Sequence, residues 1–253
     1  MKIIAVTNQK GGVGKTTTSI NVAYFLAKAG KKTLLIDFDP QGNATSGLGV
    51  DKQKLETTMT EVITGRAPLD KAIISTDHKN LFLAPSTPHL ANTEVELAQA
   101  EGRFVRLRRA VEALKDDYDF VIIDSPPSLS LLTVNGMIAA KYVILPVQAE
   151  FYALEGLGQL LETMKLIRKG LNPKLELMGV LPTMMDSRTT LSGQVHDEIK
   201  KHFPDKIFAN SIPRNVRLAE APSHGLPVGA YDRFSRGSRA YKALTKEIIE
   251  RAG

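Results

Sequence analysis

The chain has 253 residues, 43% hydrophobic and 24% charged, which is typical of one large globular domain. No apolar run approaches the roughly 20 residues of a membrane span and no export segment precedes the first strand, so we predict a cytoplasmic protein. The absence of cysteine excludes disulfides and thiolate-bound iron–sulfur clusters, while the net charge of +6 favours a polyanionic partner without establishing one.

Six short apolar runs are typical of strands buried on both faces of a sheet. They are Ile3–Thr7, Thr33–Asp37, Leu81–Ala84, Phe120–Asp124, Tyr142–Val147 and Leu177–Leu181. Helix-like segments lie between most of them, and strands that alternate with helices form βαβ units. We therefore predict the α/β fold class: a single domain over residues 1–253, with a mainly parallel, twisted sheet and helices on both faces.

Four helical segments are predicted from their apolar periodicity. The segment Lys15–Ala29 is apolar on nearly every side, which is typical of an interior helix. The other three are one around Phe104, Leu107, Val111 and Leu114, one from about Leu154 to Lys169, and an amphipathic one at the C-terminus.

The loop after the first predicted strand has the composition of a phosphate-binding loop. Its glycines let the backbone turn tightly and direct N–H groups at phosphate oxygens, and the following helix contributes its positive end. Lys15 can contact the β- and γ-phosphates, and the Thr16 hydroxyl can bind Mg²⁺. The predicted nucleotide-binding residues of the loop are Lys10, Gly11, Gly12, Val13, Gly14, Lys15, Thr16 and Thr17.

Carboxylates stand at the ends of two predicted strands. Asp37 ends the second strand and Asp39 follows, so both can face a magnesium ion and an attacking water; an Asx turn is the alternative. Asp124 follows four apolar residues, a pattern that predicts a buried strand delivering a carboxylate to the metal through water. Thr16, Asp39 and Asp124 are the predicted metal-site residues.

One position departs from the ordinary P-loop pattern G-x-x-x-x-G-K-[ST]. Gln9 replaces the first glycine, and Lys10 enters the loop next to it. In this deviant form the chain resembles, over nearly its full length, the ParA/Soj chromosome-partitioning ATPases and their Min-type relatives. The resemblance implies that Lys10 reaches across a homodimer interface to the partner's ATP.

The resemblance also implies roles for residues outside the loop. Asp39 matches the aspartate that positions or activates water, so the predicted catalytic residues are Lys10, Lys15 and Asp39. Pro213 and Asn215 match a segment that lies against adenine, and no Asn-Lys-x-Asp guanine reader is present, which favours ATP over GTP. The expected turnover is slow and is stimulated by a partner.

Two interpretations of the biological output remain. In the first, the ATP dimer associates with the nucleoid by binding double-stranded DNA without sequence preference, and a ParB-type centromere-binding protein triggers hydrolysis; Arg188 and Arg217 match DNA-contacting arginines. In the second, a Min-type ATPase binds membrane through the amphipathic tail. The modest apolar face of that tail and its acids, Glu247 and Glu250, favour a core-packed helix, so no stable membrane association is expected.

Overall fold

The computed structural model describes residues 1–115, 117–150, 157–186 and 188–253, and it contains a seven-stranded sheet. The strands are β1 Lys2–Val6, β2 Thr33–Asp37, β3 Ile74–Ser75, β4 Leu81–Ala84, β5 Phe120–Asp124, β6 Tyr142–Gln148 and β7 Glu176–Thr183. Their order across the sheet is β3-β4-β2-β5-β1-β6-β7, and every pairing is parallel except that of β3 with β4. The predicted α/β class is confirmed.

Helices lie between the strands in the described part of the chain. They are α1 Lys15–Lys28, α2 Asn43–Gly47, α3 Met59–Thr64, α4 Leu69–Ala72, α5 Asn92–Glu96, α6 Arg106–Glu112, α7 Leu131–Ala139, α8 Leu157–Gly170, α9 Thr190–His202, α10 Val216–Glu220, α11 Val228–Tyr231 and α12 Arg236–Arg251. Two clusters of buried apolar side chains cover the two faces of the sheet. The start of the helix predicted from about Leu154 lies outside the described residues.

The predicted strands agree closely with the structure. The predictions for β2, β4 and β5 hold to the residue, β1 lies one residue earlier than predicted, and β6 and β7 are longer. The edge strand β3 was not predicted because its two residues, one half-buried and one exposed, carry no apolar pattern.

The register of the parallel strands decides where the functional loops lie. Val6 of β1 and Asp37 of β2 both pair with Asp124 of β5. The three strands therefore end at one level, and the loops that follow them emerge side by side at the carboxyl edge of the sheet. Ligands bind at this edge in open α/β sheets.

The helix predicted to begin near Phe104 is shorter than expected. Phe104 lies in a 3₁₀ turn and is exposed, and α6 begins only at Arg106. The side-chain amide of Asn135 donates to the Arg103 carbonyl at 2.8 Å and accepts from the Leu107 N–H at 3.2 Å. These are the two groups that a continuous helix would join to each other, so Asn135 replaces one rung of the helix.

The C-terminal helix α12 packs on α1, which confirms the expected core-packed arrangement. Tyr241, Leu244 and Ile248 are buried, and the Tyr241 hydroxyl lies 3.1 Å from that of Thr18 on α1. Glu247 accepts hydrogen bonds from the Ala209 and Asn210 backbone amides. The apolar face of α12 is therefore part of the protein core.

Candidate nucleotide site

The loop between β1 and α1 encloses a cavity of about 400 Å³ at the carboxyl edge of the sheet. Gly12 and Gly14 adopt left-handed φ angles of 75° and 88°, which glycine tolerates without steric cost. Gly14 caps α1 without any side-chain hydrogen bond to the first turn, so the helix presents its N–H groups to the cavity. We call this the phosphate cavity; it is lined by Gly11, Gly12, Gly14, Lys15, Thr16, Thr17, Asp39, Gln41, Asn43, Pro127 and Met184.

Lys15 is only 6% exposed, and its ammonium donates to the Lys10 carbonyl at 2.9 Å. Burial lowers the pKa of Lys15, while the charges of Asp124 and Asp39 act in the opposite direction. A triphosphate in the cavity would supply the negative charge that a buried ammonium requires. The predicted position of Lys15 against phosphate therefore agrees with the electrostatics of the loop.

Asp124 is fully buried and has one unsatisfied oxygen. Its Oδ1 accepts from the Ser19 hydroxyl at 2.9 Å, whereas Oδ2 has no hydrogen-bond partner within the described residues. Burial, followed by the charge of Asp37, raises the pKa of Asp124 well above its usual range. A cation beside Oδ2 would offset the free-energy cost of burying a charged carboxylate with an unsatisfied oxygen.

The residues at this edge fit a magnesium ion held together with a nucleotide. Within the described residues no cluster of three His, Cys, Asp or Glu side chains could hold a metal by itself. Magnesium at nucleotide sites takes one or two protein oxygens and completes its shell with phosphate and water. Thr16 and Asp39 line the phosphate cavity, and Asp124 is a buried carboxylate with one oxygen that lacks a hydrogen-bond partner within the described residues, so these three residues could provide such oxygens.

Asp37 holds the segment that carries Asp39. The Asp37 Oδ2 accepts from both the backbone N–H and the hydroxyl of Thr45, each at 2.7 Å, and Oδ1 accepts from the Asp39 N–H at 3.3 Å. Asp39 is 5% exposed and accepts from the Gln41 N–H at 2.9 Å. The Asx-turn alternative is therefore realised, and the same Asp39 side chain also lines the phosphate cavity.

Lys10 lies outside the phosphate cavity of its own chain. Its backbone N–H donates to the Asn8 side chain at 3.0 Å, and its ammonium pairs with Glu150 at 2.5 Å. The Lys10 side chain is 44% exposed. The loop therefore uses Lys15 inside the cavity and presents Lys10 on the surface.

A second, mainly apolar cavity of about 310 Å³ adjoins the first. We call it the apolar cavity; it is lined by Gly14, Thr17, Thr183, Met184, Ile212, Pro213, Arg214, Asn215, Leu218, Ala219 and Tyr241. Pro213 and Asn215, which the sequence predicts to contact adenine, both line it. The Asn215 Oδ1 is buried and has no partner within the described residues, so it can accept from an amino group.

The sequence reasoning missed Met184 and Tyr241. Met184 lines both cavities and has a left-handed φ of 53°, which is uncommon for a residue with a side chain. The preceding Thr183 hydroxyl donates to the Val13 carbonyl of the loop at 2.9 Å. No local pattern signals these contacts, because β7 and α12 reach the site only in the folded chain.

Neither Arg188 nor Arg217 lines the phosphate cavity or the apolar cavity. Arg188 lines a surface hollow of about 570 Å³, here called the arginine hollow, formed by Met185, Asp186, Arg188, Ser211, Pro213, Arg214 and Arg236. Arg217 is not among these residues and instead pairs with Glu220 at 2.8 Å and Asp232 at 3.5 Å. Arg214 was missed, and Arg236 was anticipated only as part of the basic side of the C-terminal helix.

Comparisons with known proteins agree with this geometry. A family model described as an AAA domain matches residues 1–177. The chain is 54% identical over 247 residues to "Sporulation initiation inhibitor protein Soj" of Bacillus subtilis, covering 98% of both chains. It is 48% identical over 253 residues to "Chromosome partitioning protein ParA" of Caulobacter vibrioides, covering 99% of this chain and 95% of the relative.

A solved structure gives the same result for the fold. The cobyrinic acid a,c-diamide synthase of Mycobacterium smegmatis with bound ATP analog and magnesium has a TM-score of 0.89 at 39% identity, covering 99% of this chain and 94% of that one. The fold and the glycine-rich loop define the class as a P-loop ATPase. Because relatives about half identical span nearly its whole length, the chain belongs to the Soj/ParA family of chromosome-partitioning ATPases.

Proposed function

We propose that residues 1–253 form one ATPase domain that partitions DNA. Mg·ATP drives a homodimer that binds DNA without sequence preference, and hydrolysis stimulated by a ParB-type centromere-binding protein releases it. The observation that carries this proposal is the division of the loop lysines: Lys15 is buried in the phosphate cavity, while Lys10 lies outside it and half-exposed.

Binding of the nucleotide uses the two adjoining cavities. Gly11, Gly12, Val13, Gly14, Lys15, Thr16 and Thr17 surround the triphosphate, and Pro213 and Asn215 contact adenine. The buried Asn215 Oδ1 is a suitable acceptor for the adenine amino group. Guanine carries a carbonyl oxygen at that position, which would repel this acceptor and leave it unsatisfied.

Hydrolysis uses Thr16 and Asp39, which line the phosphate cavity, and the buried Asp124, whose charge acts on Lys15 of that cavity. Thr16, Asp39 and Asp124 would hold magnesium, which would supply charge compensation for the triphosphate. Asp39 positions the attacking water, because its turn is fixed by hydrogen bonds to Asp37 and Gln41. Among the described lining residues of this cavity there is no arginine, so the charge of the transition state lacks a strong cis-acting stabiliser and turnover is slow.

The position of Lys10 supports the proposed dimerisation. The Lys10 ammonium cannot serve its own nucleotide while it pairs with Glu150 outside the cavity. Across a dimer interface it would add a cation to the partner's triphosphate, and the partner would return the same contact. The gain exists only when two ATP-loaded subunits meet, so the nucleotide controls assembly.

The arginines on the surface support the proposed DNA binding. Arg188 and Arg217 contact phosphates, and Arg214 and Arg236 extend the surface around the arginine hollow. Phosphate contacts carry no sequence information, and their affinity grows when a dimer presents two copies on one rigid body. The proposed place of action is therefore the nucleoid, within the cytoplasm.

A Min-type membrane ATPase is the alternative function. Its membrane-binding element would have to be α12, but the apolar side chains of α12 are buried against α1. In the described part of the chain, no helix has the length and apolar character needed to cross a bilayer. The packing of α12 therefore favours DNA over a lipid surface.

Sedimentation separates the two functions directly. The protein is mixed with long random-sequence DNA, or with anionic phosphatidylglycerol vesicles, each with ATP, ADP or no nucleotide. We expect pelleting with DNA and ATP only. Pelleting with vesicles and ATP would support the Min-type function, and nucleotide-independent behaviour in both series would contradict the proposed switch.

A further inference from the structure

The arginine hollow contains one acid whose position is informative. The Asp186 Oδ1 accepts from the Arg188 Nε at 2.9 Å, and Oδ2 accepts from Nη2 at 2.7 Å. This is the bidentate geometry with which a guanidinium also grips a phosphate. The carboxylate therefore occupies the face of Arg188 that DNA would use.

The backbone of the acid is held by hydrogen bonds, whereas the arginine side chain is mostly exposed. The Asp186 N–H donates to the Ser192 hydroxyl at 3.2 Å, and its carbonyl accepts from the Thr189 N–H at 3.1 Å and the Thr189 hydroxyl at 3.0 Å. The Asp186 side chain is 22% exposed, compared with 85% for Arg188. If a phosphate displaced the carboxylate, Arg188 would turn outward while Asp186 stayed in place.

Asp186 also stays charged at neutral pH. Hydrogen bonds from Arg188 hold the pKa of this carboxyl below its usual range, and the nearby charge of Arg214 acts in the same direction. A phosphate that enters the hollow therefore meets a permanent negative charge as well as three guanidinium groups. The negative charges of the phosphate and of the Asp186 carboxylate would repel each other within the hollow.

We propose that Asp186 is an intramolecular competitor of the DNA phosphate, which restrains Arg188 and keeps the DNA affinity of each subunit low. This inference rests on the proposed DNA-binding function and adds a residue that sets its strength. Asp186 acts through Arg188 and is a positioning residue. By weakening the contact of each subunit with DNA, Asp186 makes DNA binding more dependent on the ATP dimer. One weak contact does not hold a single subunit on DNA, whereas the two contacts of a dimer do.

The test is the variant Asp186→Asn, measured by fluorescence anisotropy with a labelled random-sequence duplex at several salt concentrations and a saturating non-hydrolysable ATP analogue. Asparagine keeps an oxygen for the Arg188 N–H, which now donates to Asp186 Oδ1 at 3.1 Å, so the local turn is preserved. The matched control is Asp197→Asn on α9, whose side chain is 85% exposed and whose change adds the same charge. Light scattering with the ATP analogue checks that both variants form the same dimer as the wild type before their DNA affinities are compared.

We expect Asp186→Asn to tighten DNA binding by up to about fivefold per subunit, the range of an exposed ion pair. The slope of log affinity against log salt should steepen by about 0.9 for each additional phosphate that the variant neutralises, a change that a purely structural role would not produce. In an Arg188→Ala background the competition for Arg188 is absent, so Asp186→Asn should tighten DNA binding less than it does in the wild type, by the direct charge repulsion alone.

Two results would overturn the inference. Binding by Asp186→Asn that equals the Asp197→Asn control would show that the carboxylate does not compete, and weaker binding would show that it orients Arg188 productively. In both cases the wild type still binds DNA and the proposed function stands. A wild type that fails to bind DNA with the ATP analogue would remove the proposed function and this inference together.

Discussion

The phosphate cavity and the arginine hollow differ in whether their charged side chains are buried and whether they already have partners. Around the cavity, Lys15, Asp37 and Asp124 are buried, and one Asp124 oxygen lacks a partner within the described residues. Around the hollow, Arg188 is exposed and already paired with an acid of its own chain. The phosphate cavity therefore suits a ligand whose own charges compensate the buried groups. A phosphate that binds Arg188 at the arginine hollow must first displace the Asp186 carboxylate.

This difference predicts that the phosphate cavity binds its ligand strongly and specifically, and that the arginine hollow binds its ligand weakly and reversibly. A buried, incompletely satisfied site costs free energy when it is empty and gains strongly when the matching ligand enters. An exposed, self-paired site costs little when it is empty and gains little when it is filled. We therefore expect substitutions at the cavity to have large effects and substitutions of surface arginines to have small, salt-dependent effects.

The largest effect is expected for Lys15→Ala. Loss of the buried ammonium should weaken Mg·ATP binding by about a hundredfold or more, because the triphosphate would lose a desolvated partner. Titration with a fluorescent ATP analogue measures this change. The exposed Lys174→Ala serves as the control, and near-normal ATP affinity of Lys15→Ala would place the triphosphate elsewhere.

Next is Asp39→Ala, which should separate binding from hydrolysis. Removal of a residue that positions or activates water is expected to lower turnover by about a hundredfold or more, while ATP still binds. The result should be a long-lived ATP dimer that holds DNA. Phosphate release and light scattering on the same sample measure both properties; turnover at the wild-type rate would exclude Asp39 from the mechanism.

Lys10→Ala should abolish the dimer and leave ATP affinity within a few-fold of the wild type. The reason is that the Lys10 ammonium lies outside its own phosphate cavity, so a single subunit loses little when it is removed. Multi-angle light scattering with Mg·ATP, with exposed Lys28→Ala as the control, measures assembly. An ATP-dependent dimer of Lys10→Ala would refute the trans contact.

The smallest of these effects is expected for Arg217→Glu. Retention on DNA should fall several-fold while ATP-driven dimerisation is unchanged, because one phosphate contact per subunit is replaced by repulsion. The exposed Lys165→Glu on α8 makes the same charge change away from the arginine hollow. Equal DNA retention by the two variants would remove Arg217 from the DNA surface.

Much of the phosphate cavity was predictable because most of its lining residues lie in two short segments, 11–17 and 39–43. Lys15, Thr16 and the glycines form one loop, and the strands before Asp37 and Asp124 are continuous apolar runs that align in register. Local patterns of this kind can be recognised in the sequence without knowledge of the tertiary structure. Placement of these side chains at one edge therefore followed from the parallel sheet.

The remaining features depend on contacts between distant segments. Asn135 interrupts the helix predicted around Leu107 from a helix more than twenty residues away, and Tyr241 enters the apolar cavity from the last helix. The Asp186–Arg188 pair is close in sequence, but two oppositely charged residues two positions apart do not reveal a bidentate contact. Packing overrides the local pattern in each case.

The hydrogen bond between Thr183 and the Val13 carbonyl joins the glycine-rich loop to the segment that leads to the arginine hollow. Thr183 ends β7, and the chain then passes through Met184, which has a left-handed φ, and reaches Asp186 three residues beyond Thr183. One hydrogen bond and three residues of chain therefore separate the nucleotide loop from the acid that holds Arg188. The hollow also shares Pro213 and Arg214 with the apolar cavity, so the two proposed ligand regions are direct neighbours in the fold.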